Sequence, residues 1–417
     1  MKVFKFGGAS VKDAAGVRNV AKVLSHFPDD DLLIVVSAMG KTTNALEEIV
    51  WGYCEGSDVS ERVLALKDFH RRVLVDLVGA DADISWYERK WADIDLFLSM
   101  PPTGNVDRDY DRIVSLGEIW SSSILRAGLL KAGFDHVADA PARQYVRTDS
   151  TFRAARVDWE QSEKFVGEAF KHLFDQECRI IVTQGFIGSS GKDPTTLGRE
   201  GSDFSAAIFA YLLNAESVTI WKDVPGMFNA DPKLFPDTKL LSHISYREAI
   251  ELSYFGASVI HPRTLQPLQK KHIPLYVRSF VDLGAPGSTI DDRSENDSLI
   301  PSFIIKPGQV LISITPRDLA FIVEENLSGI FALFARHGVR INLMQNSAVA
   351  FTVCVDNDNR VKPLVLDLRR DYEVRWNEDL ELVTVRHFDD ATLAKLTVGK
   401  EVLIEQRSRN TARFVVK

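Results

Sequence analysis

Three cysteines in 417 residues, Cys54, Cys178 and Cys354, are too few and too far apart to form a disulfide framework or a thiolate metal site. A reducing compartment suits them. The nine histidines form no His-x-x-x-His pair, so no helical zinc arrangement is visible. Long hydrophobic runs are missing too. The longest, such as Leu32 to Val36 and Ile180 to Val182, fall far short of the roughly 20 residues a membrane helix needs. Net positive charge is missing: the formal net charge is −8, and no Lys/Arg stripe or block overrides it, which argues against a nucleic-acid footprint. Met1 to Gly8 already read as a strand and a glycine turn, leaving no space for the charged and apolar regions of an export signal. A cytoplasmic protein that binds neither membrane nor nucleic acid is the expectation.

A hydrophobic fraction of 45% and a charged fraction of 26% are those of an ordinary globular protein. At this length one core does not suffice, so a large domain and at least one smaller one are expected. The strand Val3 to Phe6 runs into Gly7-Gly8. Ser10 then reads as an N-cap, with Asp13 three residues on, for a helix over about Ala14 to Leu24. The same strand, glycine turn and helix recur at Leu32 to Val36, Ser37 to Gly40 and a helix from Thr42 or Thr43. They recur again at Arg179 to Thr183, a Gly/Ser-rich loop to Gly201, and a helix from Ser202 to Leu213. A strand Val218 to Trp221, a helix from the Ser245-x-x-Glu248 capping box to Phe255 and a strand Pro274 to Phe280 follow. Alternating strands and helices predict an α/β unit with a mostly parallel sheet, whose ligands sit outside the carboxyl ends of the strands.

The stretch Gly284 to Ser302 lacks periodicity and reads as a linker. Beyond it come strand Val310 to Ile314, helix Asn326 to His337, strand Ile341 to Leu343 and strand Ala348 to Val355. A weaker echo comprises strand Leu380 to Val385, a helix over about Asp390 to Glu405, and strand Thr411 to Val416. The expected domains are 1–285, a linker 286–302, and 303–417 as two copies of one small α+β module, the second abbreviated.

Several stretches resemble the aspartokinases. Lys5-Phe6-Gly7-Gly8-Ala9-Ser10 is similar to their KFGGTS signature, and Val182 to Gly188 to their second glycine loop. Thr195 to Asp203, TTLGREGSD, is close to TTLGRGGSD. Trp221 to Gly226 with Asp231-Pro232-Lys233 resembles the WTDVPG and DPR elements, and Gly256-Ala257 with His261-Pro262 adds another. In order and spacing these cover roughly residues 1 to 280. The resemblance implies an amino acid kinase fold, a three-layer αβα sandwich, followed by tandem ACT modules. It also implies phosphate held by several glycine loops, in keeping with the absence of a GxxxxGK[ST] loop. The implied reaction moves the γ-phosphoryl group of ATP, carried with Mg²⁺, to the β-carboxylate of L-aspartate, giving 4-phospho-L-aspartate. That is the first step toward lysine, threonine and methionine, and is commonly feedback regulated.

Phosphoryl transfer between two anions needs charge neutralisation and alignment above all. By resemblance, the Lys5 ammonium meets the transferring group while the Gly7 and Gly8 N–H groups approach it; alone, this lysine could equally be a surface residue before a turn. Arg199, beside a helix start near Ser202, would grip the substrate's α-carboxylate with its planar fork, or be a solvated loop arginine. Ser202 joins the substrate set. Asp203 would orient Lys5 or act through Mg²⁺, or be a first-turn acid favoured by the helix dipole. Glu118, in the Ser-x-Gly-Glu motif of Val114 to Glu118, would hold the substrate's ammonium; its alternative is a solvated helix acid. Ser37 and Thr43 would donate hydrogen bonds to substrate, or simply cap.

Lys222, Asp223, Phe228 and Lys233 fall where the family holds nucleotide. Phe228 replaces a common tyrosine, so a packed core phenylalanine competes with a ring against adenine. Other departures are Ala9 for threonine, Lys222 for threonine, Lys233 for arginine, and Ser258 where a lysine is frequent. The lysines at 222 and 233 could redistribute the phosphate-binding charge. No metal cage is evident, so Mg²⁺ is expected to arrive with ATP. In the tail, Asn342, Gln345, Asn346 and Ser347 occupy the expected effector turn, where Asn342 replaces an aspartate of lysine-sensitive relatives. A homodimer or dimer of dimers through this tail is the implied assembly. The chain has no stretch left for a homoserine dehydrogenase domain, so a monofunctional enzyme is expected. Competing readings are another amino acid kinase, acting on glutamate, uridylate or carbamate, and a catalytically silent amino-acid sensor.

Overall fold

A run that is apolar on both faces can be accommodated only inside a sheet covered by helices. Leu32–Val36 is such a run and is buried at every position. In the computed structural model, which describes residues 1–417 except 176–177, 258–259, 319, 390–391, 394–395 and 397, it lies near the middle of an eight-stranded sheet. The strand order is Val137–Asp139, Ile180–Gln184, Leu32–Val36, Lys2–Phe6, Ser217–Lys222, Leu275–Ser279, Ser288–Asp291 and His243–Ser245. The pairing is parallel except between Leu275–Ser279 and Ser288–Asp291. In register, Phe6 lies opposite both Val36 and Trp221, and Val36 opposite Gln184, so four neighbouring strands end level.

Alternation along Lys2–Phe6 decides what each face receives. Phe4 and Phe6 enter a core with Val17 of the helix Ala14–Leu24 and Leu116 and Trp120 of the helix Leu116–Lys131. Lys5 points the other way, toward the helix Gly201–Leu213, which packs on Lys2–Phe6 and Ser217–Lys222. The result is a three-layer αβα arrangement. The helical run Val106–Lys131 is long and apolar enough to cross a membrane by composition, but 78% of its apolar window is buried in the protein, as in a core helix.

Two readings of local structure change here. The cap of Ala14–Leu24 is Asp13, whose side chain accepts from the Gly16 N–H at 2.7 Å; Ser10 lies too far upstream and is buried in the preceding turn. The stretch taken as linker contains the strand Ser288–Asp291, whose Ser288 and Ile290 are buried. Its turn residues concealed a short edge-of-core segment. Contacts divide the chain into two units: Met1–Met227, Leu240–Ile250 and Val259–Ser294 form the first, and Phe228–Lys239, Glu251–Ser258 and Glu295–Lys417 the second.

The second unit is built on an antiparallel six-stranded sheet, ordered Ile341–Asn346, Phe351–Asp356, Ser302–Pro316, Tyr372–Arg386, Thr411–Val416, Val402–Arg407. Two 15-residue strands, Ser302–Pro316 and Tyr372–Arg386, pair along their length and each serves both halves of the sheet. The helices Glu324–His337 and Val361–Asp371 cover the first half. The second helix was not anticipated, although Val361, Leu364, Val365 and Leu368 bury one face at helical spacing. Of the helix expected over Asp390 to Glu405, residues 402–405 instead belong to the strand Val402–Arg407, and several positions before Thr397 lie outside the described residues. Strand pairing with Thr411–Val416 overrides the local preference there.

The phase of the unanticipated helix is open to test. Leu364→Ala, at a fully buried position, is expected to destabilise the second unit by about 2–5 kcal/mol, whereas exposed Leu366→Ala should change it by under about 0.5 kcal/mol. Urea unfolding followed by circular dichroism checks both values, and equal effects would refute the phase.

Candidate active site

Level strand ends place their loops side by side. The ends of Lys2–Phe6 and Ser217–Lys222, through Lys5 and Lys222, the loops after Leu32–Val36 and Ile180–Gln184, through Ser37 and Phe186, and the start of Gly201–Leu213 border a cleft of about 480 Å³. That volume is within the roughly 300–1,000 Å³ range of small-molecule sites. Gly8 permits the first turn to lie on the second, since a Cβ there would stand 2.6 Å from the Ala38 carbonyl oxygen. Eight of the expected residues line the cleft: Lys5, Ser37, Thr43, Glu118, Arg199, Ser202, Asp203 and Lys222. Gly7, Gly8, Asp223, Phe228 and Lys233 do not. Asp223 and Lys233 are exposed and Phe228 is half-buried, with Phe228 and Lys233 in the second unit. Ser258 lies outside the described residues.

At the floor of the cleft, Lys5 Nζ stands 2.6 Å from Asp203 Oδ1, and both residues are buried. Lys222 Nζ lies 3.6 Å from the other oxygen, Oδ2. Burial pushes the Asp203 carboxyl up, but the Lys5 and Lys222 ammoniums outweigh it and hold the group below the usual carboxylate range. One carboxylate therefore serves two cations. It fixes the positions of both ammoniums at the cleft, where they suit a phosphoryl group. A bare buried ammonium would instead tend to neutralise.

Glu118 sits on the first turn of Leu116–Lys131 because Gly117 lets that turn press against the loop after Leu32–Val36; a Cβ at Gly117 would meet Ala38 and Thr42 at 3.1 Å. Its Oε1 accepts from the Ala38 N–H at 3.2 Å, while Oε2 is buried with no hydrogen-bond partner among the described residues. Only 3% of the residue is exposed, which disposes of the solvated-acid alternative. Burial pushes its carboxyl up to about 8 despite the Ala38 hydrogen bond and the Lys5 charge. An ammonium group arriving beside Oε2 would satisfy that oxygen and restore the ionised form.

Arg199 is exposed at the rim, between Gly198 at φ 79° and Glu200 at φ 54°. Ser37 is fixed through its backbone, its N–H donating to the Phe6 carbonyl at 3.1 Å and its carbonyl accepting from Ser121 Oγ at 2.7 Å. Of the adjacent threonines, Thr42 turns inward to buried His70, leaving Thr43 to the cleft. Glu200 stands where the TTLGRGGSD pattern has glycine and adopts the left-handed backbone that favours glycine. Its carboxyl is raised by burial and then by the nearby Asp203 charge. That mismatch in the motif was a visible signal for Glu200. Tyr110 lies on the helix Val106–Val114, just before the one that carries Glu118, and also lines the cleft. No pattern pointed to Arg153 or to its place in the lining.

Among the described residues, no group of three or more His, Cys, Asp or Glu side chains is arranged to hold a metal. The carboxylates beside Lys5 and Lys222, Asp203 and Glu200, are hard oxygen donors. They fit a magnesium ion that comes in on nucleotide phosphates and takes one or two protein carboxylates.

The four residues expected to meet an effector separate into two environments in the second unit. Gln345, Asn346 and Ser347 are exposed at the end of the edge strand Ile341–Asn346. Asn342 is part-buried in a polar network: its Oδ1 accepts from Lys306 Nζ at 3.1 Å, and its Nδ2 donates to Gln309 Oε1 and Asp356 Oδ1 at 2.8 Å each.

The state of Glu118 has a measurable consequence. Between an unfolded carboxyl's ordinary range and about pH 8, the folded chain keeps a proton on Glu118 that the unfolded chain has released. This contribution to stability is fully present below the unfolded range and is lost as pH rises through about 8. Glu118→Gln should therefore flatten the fall in urea midpoint between about pH 5 and about pH 9. An unaltered slope in the ligand-free variant would contradict the burial of an ionisable Glu118.

A sequence model of the amino acid kinase family matches residues 1–279. The bifunctional aspartokinase/homoserine dehydrogenase 1 of Arabidopsis thaliana is 32% identical over 366 residues, 84% of this chain and 40% of that protein. The chain thus spans about 40% of the length of that relative. Lysine-sensitive aspartokinase 3 of Escherichia coli is 30% identical over 415 residues, covering 96% of this chain and 89% of that one. The structure of E. coli aspartokinase III in complex with aspartate and ADP superimposes with a TM-score of 0.82 at 26% identity, covering 100% of this chain and 96% of that one. With the cleft described above, these likenesses establish that the chain belongs to the amino acid kinase family and, within it, to the aspartokinases.

Proposed function

We propose that the cleft transfers the γ-phosphoryl group of ATP to the β-carboxylate of L-aspartate, giving 4-phospho-L-aspartate. One observation carries the reading: a buried carboxylate lacking a partner on one oxygen, Glu118, shares a cleft with two ammoniums organised by Asp203. The first recognises an amino acid by its ammonium, and the second neutralises a transferring phosphoryl group. Arg199 takes the α-carboxylate, with Ser37, Thr43 and Ser202 donating hydrogen bonds. The nucleotide enters with Mg²⁺, its phosphates toward Lys5, Lys222 and the Gly7-Gly8 turn. Asp223, Phe228 and Lys233 contact its distal part. The likeness to an ADP-bound and aspartate-bound aspartokinase supports both halves of this assignment.

The proposed organisation is a catalytic part over 1–285, a connection over 286–302 and a regulatory part over 303–417, built as tandem ACT-like modules. Gln345, Asn346 and Ser347, with Asn342 behind them, form the proposed effector turn, and a homodimer or dimer of dimers through this part is the proposed assembly, in the cytoplasm. The name of the lysine-sensitive relative makes lysine the first effector to try. Asn342, already engaged with Lys306, Gln309 and Asp356, weakens the case for it.

Incubation with ATP, Mg²⁺ and hydroxylamine should yield hydroxamate from L-aspartate and none from L-glutamate. Hydroxamate from glutamate would indicate a different amino acid kinase, and none from either would favour a sensor. Repeating the assay with lysine, threonine or methionine identifies the effector. Lys5→Met should lower kcat by about 100- to 1,000-fold, in line with the loss of one preorganised electrostatic group. Lys222→Thr and Lys233→Ala are each expected to raise the KM for ATP several-fold. Unchanged values would remove the lysines from phosphate binding.

A further inference from the structure

Arg153 lines the cleft, yet neither the motifs nor the roles assigned above use it. It is also strained. At φ 63° this long-chain residue occupies a left-handed backbone region that non-glycine residues seldom enter, and such outliers persist where the surroundings hold them for a purpose. The hold is visible. The Arg153 N–H donates to both carboxylate oxygens of Asp111, at 3.1 Å each. Asp111 is fully buried on the helix Val106–Val114, and it also accepts from the Thr196 N–H at 2.8 Å and from Thr196 Oγ1 at 2.6 Å. One carboxylate thereby ties the Arg153 turn to the segment leading into Gly198 and Arg199. The two turns touch: a Cβ on Gly198 would stand 3.0 Å from the Arg153 carbonyl oxygen.

The guanidinium is pre-placed as well. Its carbon lies 4.4 Å from the centre of the Tyr110 ring and 5.7 Å from that of Trp51, and Tyr110 itself lines the cleft. The Tyr110 hydroxyl donates to Glu47 Oε1 at 2.6 Å, which fixes the ring under the cation. Stacking holds a guanidinium by its face and leaves its N–H edges for an anion. The ion pair to Asp107, at 3.3 Å with both side chains about half exposed, is the weak kind that an incoming carboxylate can displace.

We infer that Arg153 is a second arginine for the amino-acid substrate, joining Arg199 on the α-carboxylate, and that Asp111 is the positioning residue that aims it. This rests on the proposed reaction, and it follows from how the cleft's cations are distributed. Lys5 and Lys222 are committed to Asp203 and the phosphoryl end, whereas Arg153 belongs to a turn in contact with the one that carries Arg199. Two forks on the α-carboxylate leave the β-carboxylate as the end that reaches Lys5. They would orient a dicarboxylic amino acid and disfavour its reversed binding.

The test compares the parent with Arg153→Met and Arg153→Lys. Arg153→Met should raise the KM for L-aspartate at least about tenfold, with kcat and the KM for ATP within about twofold, and Arg153→Lys should recover part of the loss. L-Isoasparagine, whose α-carboxylate is an amide, serves as a competitive probe: its inhibition constant should differ little between parent and Arg153→Met. Asp111→Asn should also raise the KM for L-aspartate and add little in the Arg153→Met background. An unchanged aspartate KM in Arg153→Met, an equal loss for L-isoasparagine, or a rise in the ATP KM alone would overturn the inference. A parent that makes no aspartyl hydroxamate would refute the reaction instead. The thermal shift induced by L-aspartate in parent and Arg153→Met then decides the role of Arg153 separately, with an equal shift counting against it.

Discussion

The site depends on one buried carboxylate that holds two ammoniums in place. Lys5 is buried at the end of a central strand, and Asp203 is delivered to it at 2.6 Å by the first turn of Gly201–Leu213. That delivery explains much of the surrounding architecture. The helix must start close above the strand ends, which is why a Cβ on Gly185 would collide with Ser202 and one on Gly201 with Phe186, each at 2.6 Å. The strand ends must be level, which parallel pairing in register supplies. Removing one partner of such a buried pair typically costs about 3–5 kcal/mol, because the other charge is left uncompensated. Stability and the proposed phosphoryl binding therefore draw on the same contact.

Opposite charge logic operates at the other end of the cleft. Asp203 is kept ionised by two cations, whereas Glu118, with one backbone donor and one oxygen without a partner, is pushed toward its neutral form. Two buried carboxylates in one cleft thus respond differently because their neighbours differ. A salt bridge organises the Asp203 side, and at Glu118 one oxygen has no hydrogen-bond partner among the described residues. Glu200 and Lys222, both departures from the family's pattern, add a further carboxylate and a further cation beside Asp203.

The strands and glycine turns that frame the cleft were legible because each has one strong determinant, whereas the helices between Ser60 and Asp175 were not read. The helix Ala14–Leu24 and the strand Leu32–Val36 were read to the residue, and the glycine turns pointed to the carboxyl ends where the cleft lies. The rest was hidden for physical reasons. Ser288–Asp291 is short and sits among turn residues, so only its pairing partners make it a strand. Val402–Arg407 carries a helix-tolerant sequence that becomes a strand because Thr411–Val416 lies beside it. At the site, Lys5, Glu118, Arg199 and Asp203 were legible through motifs, which report spacing along the chain. Arg153 was not, since its place is set by Asp111 and Tyr110 from another helix. Asp223, Phe228 and Lys233 were read with the same motifs but do not border the cleft.

The cleft is proposed to couple a nucleotide's terminal phosphoryl group to a carboxylate of an amino acid held through Glu118. Phosphorus NMR of the full chain with ATP, Mg²⁺ and L-aspartate tests it most directly. The account predicts an acyl-phosphate resonance that grows in step with ADP and disappears when L-aspartate is omitted. Persistence of ATP alone, or ADP appearing only with inorganic phosphate, would contradict it.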